Sequence, residues 1–227
     1  MNHILDNPIY HSLCTGHRTI AKGTDEANYY PHNIAPFAGL KDSSLANLDK
    51  LSEASDTDRT FVIFTPKAYE IPSHWKLINQ INMFQMVYEH PLAPTGDDVD
   101  FEDLGESNVK EMLDLVELTQ PGPFRSHTIT LGNYTGVFSA KKLVAMAGHR
   151  FNPTPYVEIS AVCTHPNYLG KGYAYELLCE QIKRILATAQ IPFLHVRDDN
   201  VAAVKLYQKL GFVIRTHMIA YVVRREV

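Results

Sequence analysis

The chain reads as an α/β protein, on three observations. Runs rich in β-branched and aromatic residues recur at strand length. Between them, along the second half, lie apolar residues at helical spacing. Proline and glycine mark the places where one pattern gives way to the other.

Residues 1–60 are polar and weakly periodic. Within them, Leu45, Leu48 and Leu51 predict a short helix over 43–51, and Asp56-Thr57-Asp58 a turn. Strands are expected at Thr60–Thr65 and Phe84–Tyr88, with Pro66 and Pro72 in the loop between. The acidic, Pro/Gly-rich stretch 91–98 predicts a linker. It divides an N-terminal α/β region, 1–97, from a second domain, 98–227.

In that second domain Val99–Leu104 reads as a strand. Ser107 is expected to cap a helix carrying Val109, Met112, Leu113, Val116 and Leu118, stopped by Pro121-Gly122-Pro123. Tyr134–Ser139 and Leu143–Phe151 predict a hairpin about Ala140-Lys141-Lys142, and Tyr156–Thr164 the next strand. A helix follows with Tyr173, Leu177, Leu178, Ile182, Ile185 and Leu186 on one face. Phe193–Val196 is a short buried strand. Asn200 opens a helix with Ala203, Leu206, Tyr207 and Leu210 on one side, closed by Gly211. Phe212–Ile214 and Met218–Val223 read as two last strands. The order predicts a sheet with an antiparallel start and a parallel pair flanking residue 170.

Composition narrows the function. A hydrophobic fraction of 45% with 20% charged residues is that of a soluble globular protein. A formal charge of −4 argues against nucleic acid as partner, since no broad basic field is available. Cys14, Cys163 and Cys179 are odd in number and lack metal-like spacing, which predicts free thiols in a reducing compartment. The eleven histidines form no HxxxH pair, so no metal is expected. The first residues carry no basic segment followed by an apolar core, and no stretch has the length of a membrane span. A cytoplasmic location and no membrane partner are the expectation.

The most telling stretch is Asn167-Tyr168-Leu169-Gly170-Lys171-Gly172-Tyr173-Ala174. It joins a strand to a helix through two glycines, an arrangement suited to a phosphate. Backbone N–H groups converge there and the helix dipole favours negative charge. A plain strand-to-helix turn is the competing reading of the loop alone.

With the downstream run Asn200-Val201-Ala202-Ala203-Val204-Lys205-Leu206-Tyr207-Gln208-Lys209-Leu210-Gly211-Phe212, the loop resembles the GNAT superfamily of acyl-CoA-dependent N-acyltransferases over about residues 98–227. Gly170 and Gly172 match that family's loop; Asn167 stands where it has Gln or Arg. The resemblance implies a mixed central sheet flanked by helices. Phe193-Leu194-His195-Val196 before the Asn helix is similar to the glycine-acyltransferase-like branch. In that branch the N-terminal half is often a worn copy of the same fold, which makes 1–97 a candidate copy.

The resemblance implies acetyl-CoA as cosubstrate and a small-molecule or peptide amine as acceptor. The amides of Leu169, Gly170, Lys171, Gly172, Tyr173 and Ala174 would hold the pyrophosphate, Lys171 adding charge. The backbone of Val162, Cys163 and Thr164 would pair with the pantetheine arm. Asn200, a helix cap by its own chemistry, would also face the cleft. Tyr207 would protonate the departing thiolate, a transfer from a phenol of pKa ~10 to a thiol of pKa ~8.5. For the base, Glu158 is the candidate, since strand alternation puts it on one face with Ser160, Val162 and Thr164. Its competing readings are a solvated strand carboxylate and an ion pair with Arg150 on the neighbouring strand. His195, an imidazole in an apolar strand, is the rival base. Phe124, Arg125 and His127 would shape the acceptor pocket, Arg125 suiting a carboxylate.

Two other readings stay open. One is a CoA-binding or interaction module that keeps the fold without turnover. The other is a dinucleotide-binding domain, against which stand the missing third glycine and Gln190 where an acidic residue belongs. Oligomeric state and acyl-chain length are not legible.

Overall fold

The structure, a computed structural model, describes residues 3–42, 46–56, 58–68, 70–96 and 99–225. Along the chain come α1 (Pro8–Cys14), β1 (Lys22–Gly23), β2 (Ala27–Tyr29), β3 (Ala38–Leu40), α2 (Ala46–Ala54), β4 (Thr60–Thr65), β5 (Trp75–Tyr88) and β6 (Glu102–Asp103). Then follow α3 (Val109–Thr119), β7 (Thr135–Ser139), β8 (Lys142–His149), β9 (Tyr156–Thr164), α4 (Tyr173–Ala187), β10 (Ile191–Arg197), α5 (Val201–Leu210) and β11 (Phe212–Arg225).

Eight strands form one mixed sheet in the order β4-β11-β5-β10-β9-β8-β7-β6; β1, β2 and β3 form a small second sheet. The pairing of β10 with β9 is parallel, and the other pairings in the large sheet are antiparallel. This is the α/β architecture expected, a mixed sheet flanked by helices. The division at residue 97 does not coincide with a break in the sheet. β4 and β5 precede it, and β5 lies between β11 and β10.

Both faces are covered. α4 and α5 bury Leu178, Ile182, Ile185 and Leu210 against Val157, Ile159, Met86 and Phe212. On the opposite face α3 places Met112, Leu115 and Val116 over Met146 and Cys163. The N-terminal segment lays Leu5, Ile9 and Leu13 against a cluster with Phe64, Met83, Phe193 and Met218. No helix among the described residues is long and apolar enough to cross a membrane.

Several elements differ from expectation. The helix expected over 43–51 runs over Ala46–Ala54; Ser43, Ser44 and Leu45 lie outside the described residues, as do Thr57 of the expected turn and Asp97 and Asp98 of the expected linker. The strand at 99–104 shrinks to Glu102–Asp103, which pair with Gly136 and Thr135, while Val99 and Phe101 pack instead beside Leu177. Asn108, not Ser107, organises the start of α3: its Oδ1 accepts from the Gly105 amide at 2.9 Å. The two last strands are one, with a register shift between Ile214 and Thr216 that leaves Arg215 out of the ladder.

Candidate active site

The site is built around β9, whose two halves are made differently. At its start Tyr156, Val157 and Glu158 pair with Ile191, Pro192 and Phe193 of β10, and pairing between these strands ends there. Beyond Phe193, β10 keeps only β5 as neighbour, and β9 keeps only β8. The two strands therefore part, and one backbone edge of β9 from Ile159 to Thr164 faces a gap.

A bulge lies in the same stretch. Met146 pairs with Cys163 and Gly148 with Ser160, so β9 carries one residue more than β8. Ala161 takes a left-handed φ of 52° there. The bulge overturns the alternation expected for Glu158, Ser160, Val162 and Thr164. Val162 packs with the α4 and α5 cluster, whereas Ala161 and Cys163 join the α3 cluster. Glu158 points to the face opposite Val162.

After β9, His165 accepts the Asn167 amide on Nδ1 at 3.1 Å and shapes a short 3-10 turn, Pro166–Tyr168. Gly170 and Gly172 then have φ of 76° and 80°. No atom lies within 4 Å of where a Cβ would stand on either. These glycines are required by backbone conformation rather than by crowding. Gly172 hands directly into α4. The amides of Gly170, Lys171, Gly172, Tyr173 and Ala174 donate to no acceptor among the described residues. Leu169 is exposed, its amide turned back to Pro166 at 3.4 Å. Lys171 holds its ammonium 4.9 Å from the Tyr168 ring centroid. The result is a row of unpaired donors at the start of a fifteen-residue helix, beside the open edge of β9.

Across the gap, Asn200 accepts the Ala203 amide at 3.2 Å, the helix cap its sequence position suggested. Tyr207 is half-buried in the cluster that holds Val162, its ring 6.1 Å from that of Phe212. Burial pushes its phenol up to about 12. It remains protonated and able to donate.

Glu158 is placed otherwise. Its carboxylate is fully buried. Arg150 donates to both oxygens, Nε to Oε2 at 2.8 Å and Nη2 to Oε1 at 2.6 Å. His195 Nδ1 lies 2.6 Å from Oε1. Burial alone would raise this carboxyl; the Arg150 charge and hydrogen bonds, then His195, overcome it and hold the group at about 2. The other imidazole nitrogen of His195, Nε2, is 2.9 Å from Nε2 of Gln85. The Gln85 amide nitrogen also donates to the Leu5 carbonyl at 2.8 Å, and its oxygen accepts Nε of Arg215 at 2.5 Å. Arg215 in turn donates to Asp6 at 2.6 Å. One assignment satisfies every member: His195 is neutral, carries its proton on Nδ1 toward Glu158, and accepts from Gln85 on Nε2. Burial lowers the His195 pKa, in keeping with that neutral form.

The two base candidates are thus each other's partners. Neither presents a free atom to the gap. Cys163 is buried, its thiol pushed up to about 11 by burial, which leaves it protonated and unreactive. Phe124 lies edge-on to Tyr134 at 5.6 Å and belongs to the cluster that includes Ala161 and Cys163. Arg125 donates to the His32 carbonyl. The His127 amide donates to the Asn33 carbonyl at 3.1 Å.

This geometry can be set beside known proteins. The FR47-like protein family matches residues 134–220. A protein of Novosphingobium aromaticivorans DSM 12444, described as an acetyltransferase from the GNAT family, superposes with a TM-score of 0.92. The two sequences are 31% identical, with 100% of each chain covered. This chain belongs to the GNAT family.

Over 83 residues it is also 36% identical to the N-alpha-acetyltransferase RimI of Mycobacterium tuberculosis, a match covering 35% of this chain and 51% of that relative. The chain therefore spans about half the length of that curated protein. A GNAT acetyltransferase of Colwellia psychrerythraea shares the fold at TM-score 0.56 and 15% identity, over 96% of this chain and 92% of that one. Within this GNAT chain, sequence reasoning missed Ala161, Gln85 and Arg215. An alanine inside an apolar run carries no signal of a bulge. Gln85 and Arg215 acquire meaning only when β5, β10 and β11 meet.

Proposed function

We propose that this protein is an N-acetyltransferase that uses acetyl-CoA and an amine acceptor. The single observation that carries the reading is the continuity of unpaired backbone donors at Gly170–Ala174 with the one-sided edge of β9. Acetyl-CoA fits that surface: its pyrophosphate needs convergent N–H donors, and its amide-bearing arm needs a strand edge. In this reading Gly170, Lys171, Gly172, Tyr173 and Ala174, with Leu169 at the entrance, hold the pyrophosphate. The backbone of Val162, Cys163 and Thr164 pairs with the arm, and Asn200 bounds the far side of the gap.

The acceptor nitrogen attacks the thioester carbonyl, forming C–N as C–S breaks. Tyr207 donates its phenolic proton to the leaving sulfur from the α5 face. Glu158 acts as a positioning residue: with Arg150 and His195 it fixes where β9 and β10 part. The amine's own proton leaves to water, because no described carboxylate or imidazole of the pair is free to take it. The pH dependence of kcat/KM therefore follows the acceptor's own pKa. A bend near neutrality that stays put when the acceptor is changed would contradict this.

The likeness to RimI supports a peptide or protein amine as acceptor. The glycine-acyltransferase-like branch is part of the proposal and rests on Phe193–Val196 alone. Cytoplasmic operation fits the free cysteines Cys14, Cys163 and Cys179.

The test is release of CoA thiol from acetyl-CoA with a panel of amines and peptides, with the acetylated product identified by mass spectrometry. Failure of acetyl-CoA to bind would sink the proposal. A second reading, CoA binding without turnover, is favoured by the closed Glu158–His195 pair; it predicts binding with no thiol released by any acceptor.

A further inference from the structure

A cavity of about 310 Å³ lies where the N-terminal region meets the loop after α3, lined by His32, Asp56, Asp58, Arg59, Thr60 and Arg125. Its two arginines differ from four others in the molecule. Arg150, Arg184, Arg197 and Arg215 each pair with a carboxylate. Arg59 and Arg125 have no carboxylate partner among the described residues. Arg125 donates to the His32 carbonyl. Arg59 is buried, its guanidinium lying 4.7 Å and 4.9 Å from the ring centroids of Tyr29 and Phe61. It donates from Nη2 to the Tyr30 carbonyl and, at 3.5 Å, to that of Ala35. Its Nε–H is buried with no partner.

A buried guanidinium with an idle donor is costly unless something accepts from it. Asp56 and Asp58 line the same cavity but are exposed and take no hydrogen bond from either arginine. The His32 imidazole is pushed down, by the Arg125 charge first, then by desolvation and by Arg59, against a smaller opposing effect of Asp56. Arg125, on the cavity wall, directly follows Phe124, which belongs to the hydrophobic cluster that includes Ala161 and Cys163.

We infer that Arg59 and Arg125 form a carboxylate-recognition site that selects acceptors bearing an acid group near the reacting amine. This rests on the acetyltransferase reading and deepens it. The carboxylate is either the α-carboxylate of an amino acid or an acidic side chain beside a peptide N-terminus. Planar guanidinium groups bind both through the same paired hydrogen bonds.

Calorimetric titration with CoA present tests it without turnover. Two matched pairs serve as probes: alanine against alaninamide, and the C-terminally amidated peptide Ala-Asp-Ala against Ala-Asn-Ala. In at least one pair the acid binds about tenfold tighter, a factor expected of a charge-assisted hydrogen bond. The pair that discriminates identifies the source. Arg125→Gln brings the ratio to near unity, Arg125→Lys keeps part of it, and Lys142→Gln, on the remote hairpin, leaves it intact. Equal binding within both pairs, or a ratio that survives Arg125→Gln, overturns the inference. A failed thiol-release assay with this discrimination present overturns the proposed turnover instead.

Discussion

The two halves of β9 are one strand put to two uses. Its first half is closed. Glu158 lies between β8 and β10, and every polar atom of its carboxylate has a partner inside the protein. Its second half is open, with one edge free and a run of unpaired amides just beyond it. Both halves carry residues that chemistry could use. A candidate ligand site is marked by donors left over after the fold has satisfied its own, not by the reactivity of a side chain in isolation.

The largest blow to this contrast is removal of residues 1–97. That takes β4 and β5 from the sheet, stripping β10 of one neighbour and β11 of both. We expect the remaining chain to show no cooperative thermal transition by circular dichroism. A sharp transition would mean that the closed half does not need the N-terminal region.

Glu158→Gln comes next. It leaves Arg150 nearly buried with no counter-charge, and breaking such a pair typically costs about 3–5 kcal/mol. Denaturant unfolding should show that loss. Full stability together with abolished turnover would instead return Glu158 to the role of base. Acid provides the same test without a mutation. Glu158 titrates at about 2 in the fold, against 4.5 ordinarily, so its contribution is complete above about 4.5 and is lost as the pH falls toward 2. His17 and His149, both pushed down to about 4 by burial, act earlier. The unfolded chain takes up their protons first, so stability should decline as the pH drops from about 6.5 to about 4.

Tyr207→Phe probes the open side. Loss of a positioned proton donor should lower kcat by about 10²-fold or more, with acetyl-CoA binding retained. An unchanged kcat removes Tyr207 from the reaction. Smaller still is Gly172→Ala. A Cβ at a φ of 80° costs roughly 1–2 kcal/mol of backbone strain, which should weaken acetyl-CoA binding by about tenfold as the loop shifts. Unaltered affinity would show that the loop conformation is not what the ligand reads.

The legibility of these features in the sequence followed their range. The Gly170–Gly172 loop, the Asn200 cap and the Gly211 stop are local, set by the backbone needs of a few adjacent residues, and they stand where expected. Trp75–Met83 went unseen as strand because its residues 76–80 are exposed, and it is held by pairing with β11, far along the chain. Ala161 gave no sign of the bulge that reverses the faces of β9. The role of Glu158 turned on His195 and Gln85, which neighbouring residues cannot announce; only its Arg150 partner was within reach of a reading along adjacent strands.

In the proposed reaction the acetyl donor occupies the open half of β9 and the unpaired amides beyond it. Amide NMR during a titration with acetyl-CoA tests this most directly. Resonances of Gly170–Ala174 and Ala161–Thr164 should shift in proportion to saturation, while those of Gln85, Glu158 and His195 stay close to their free positions. Saturable binding that leaves the Gly170–Ala174 amides unmoved would contradict it.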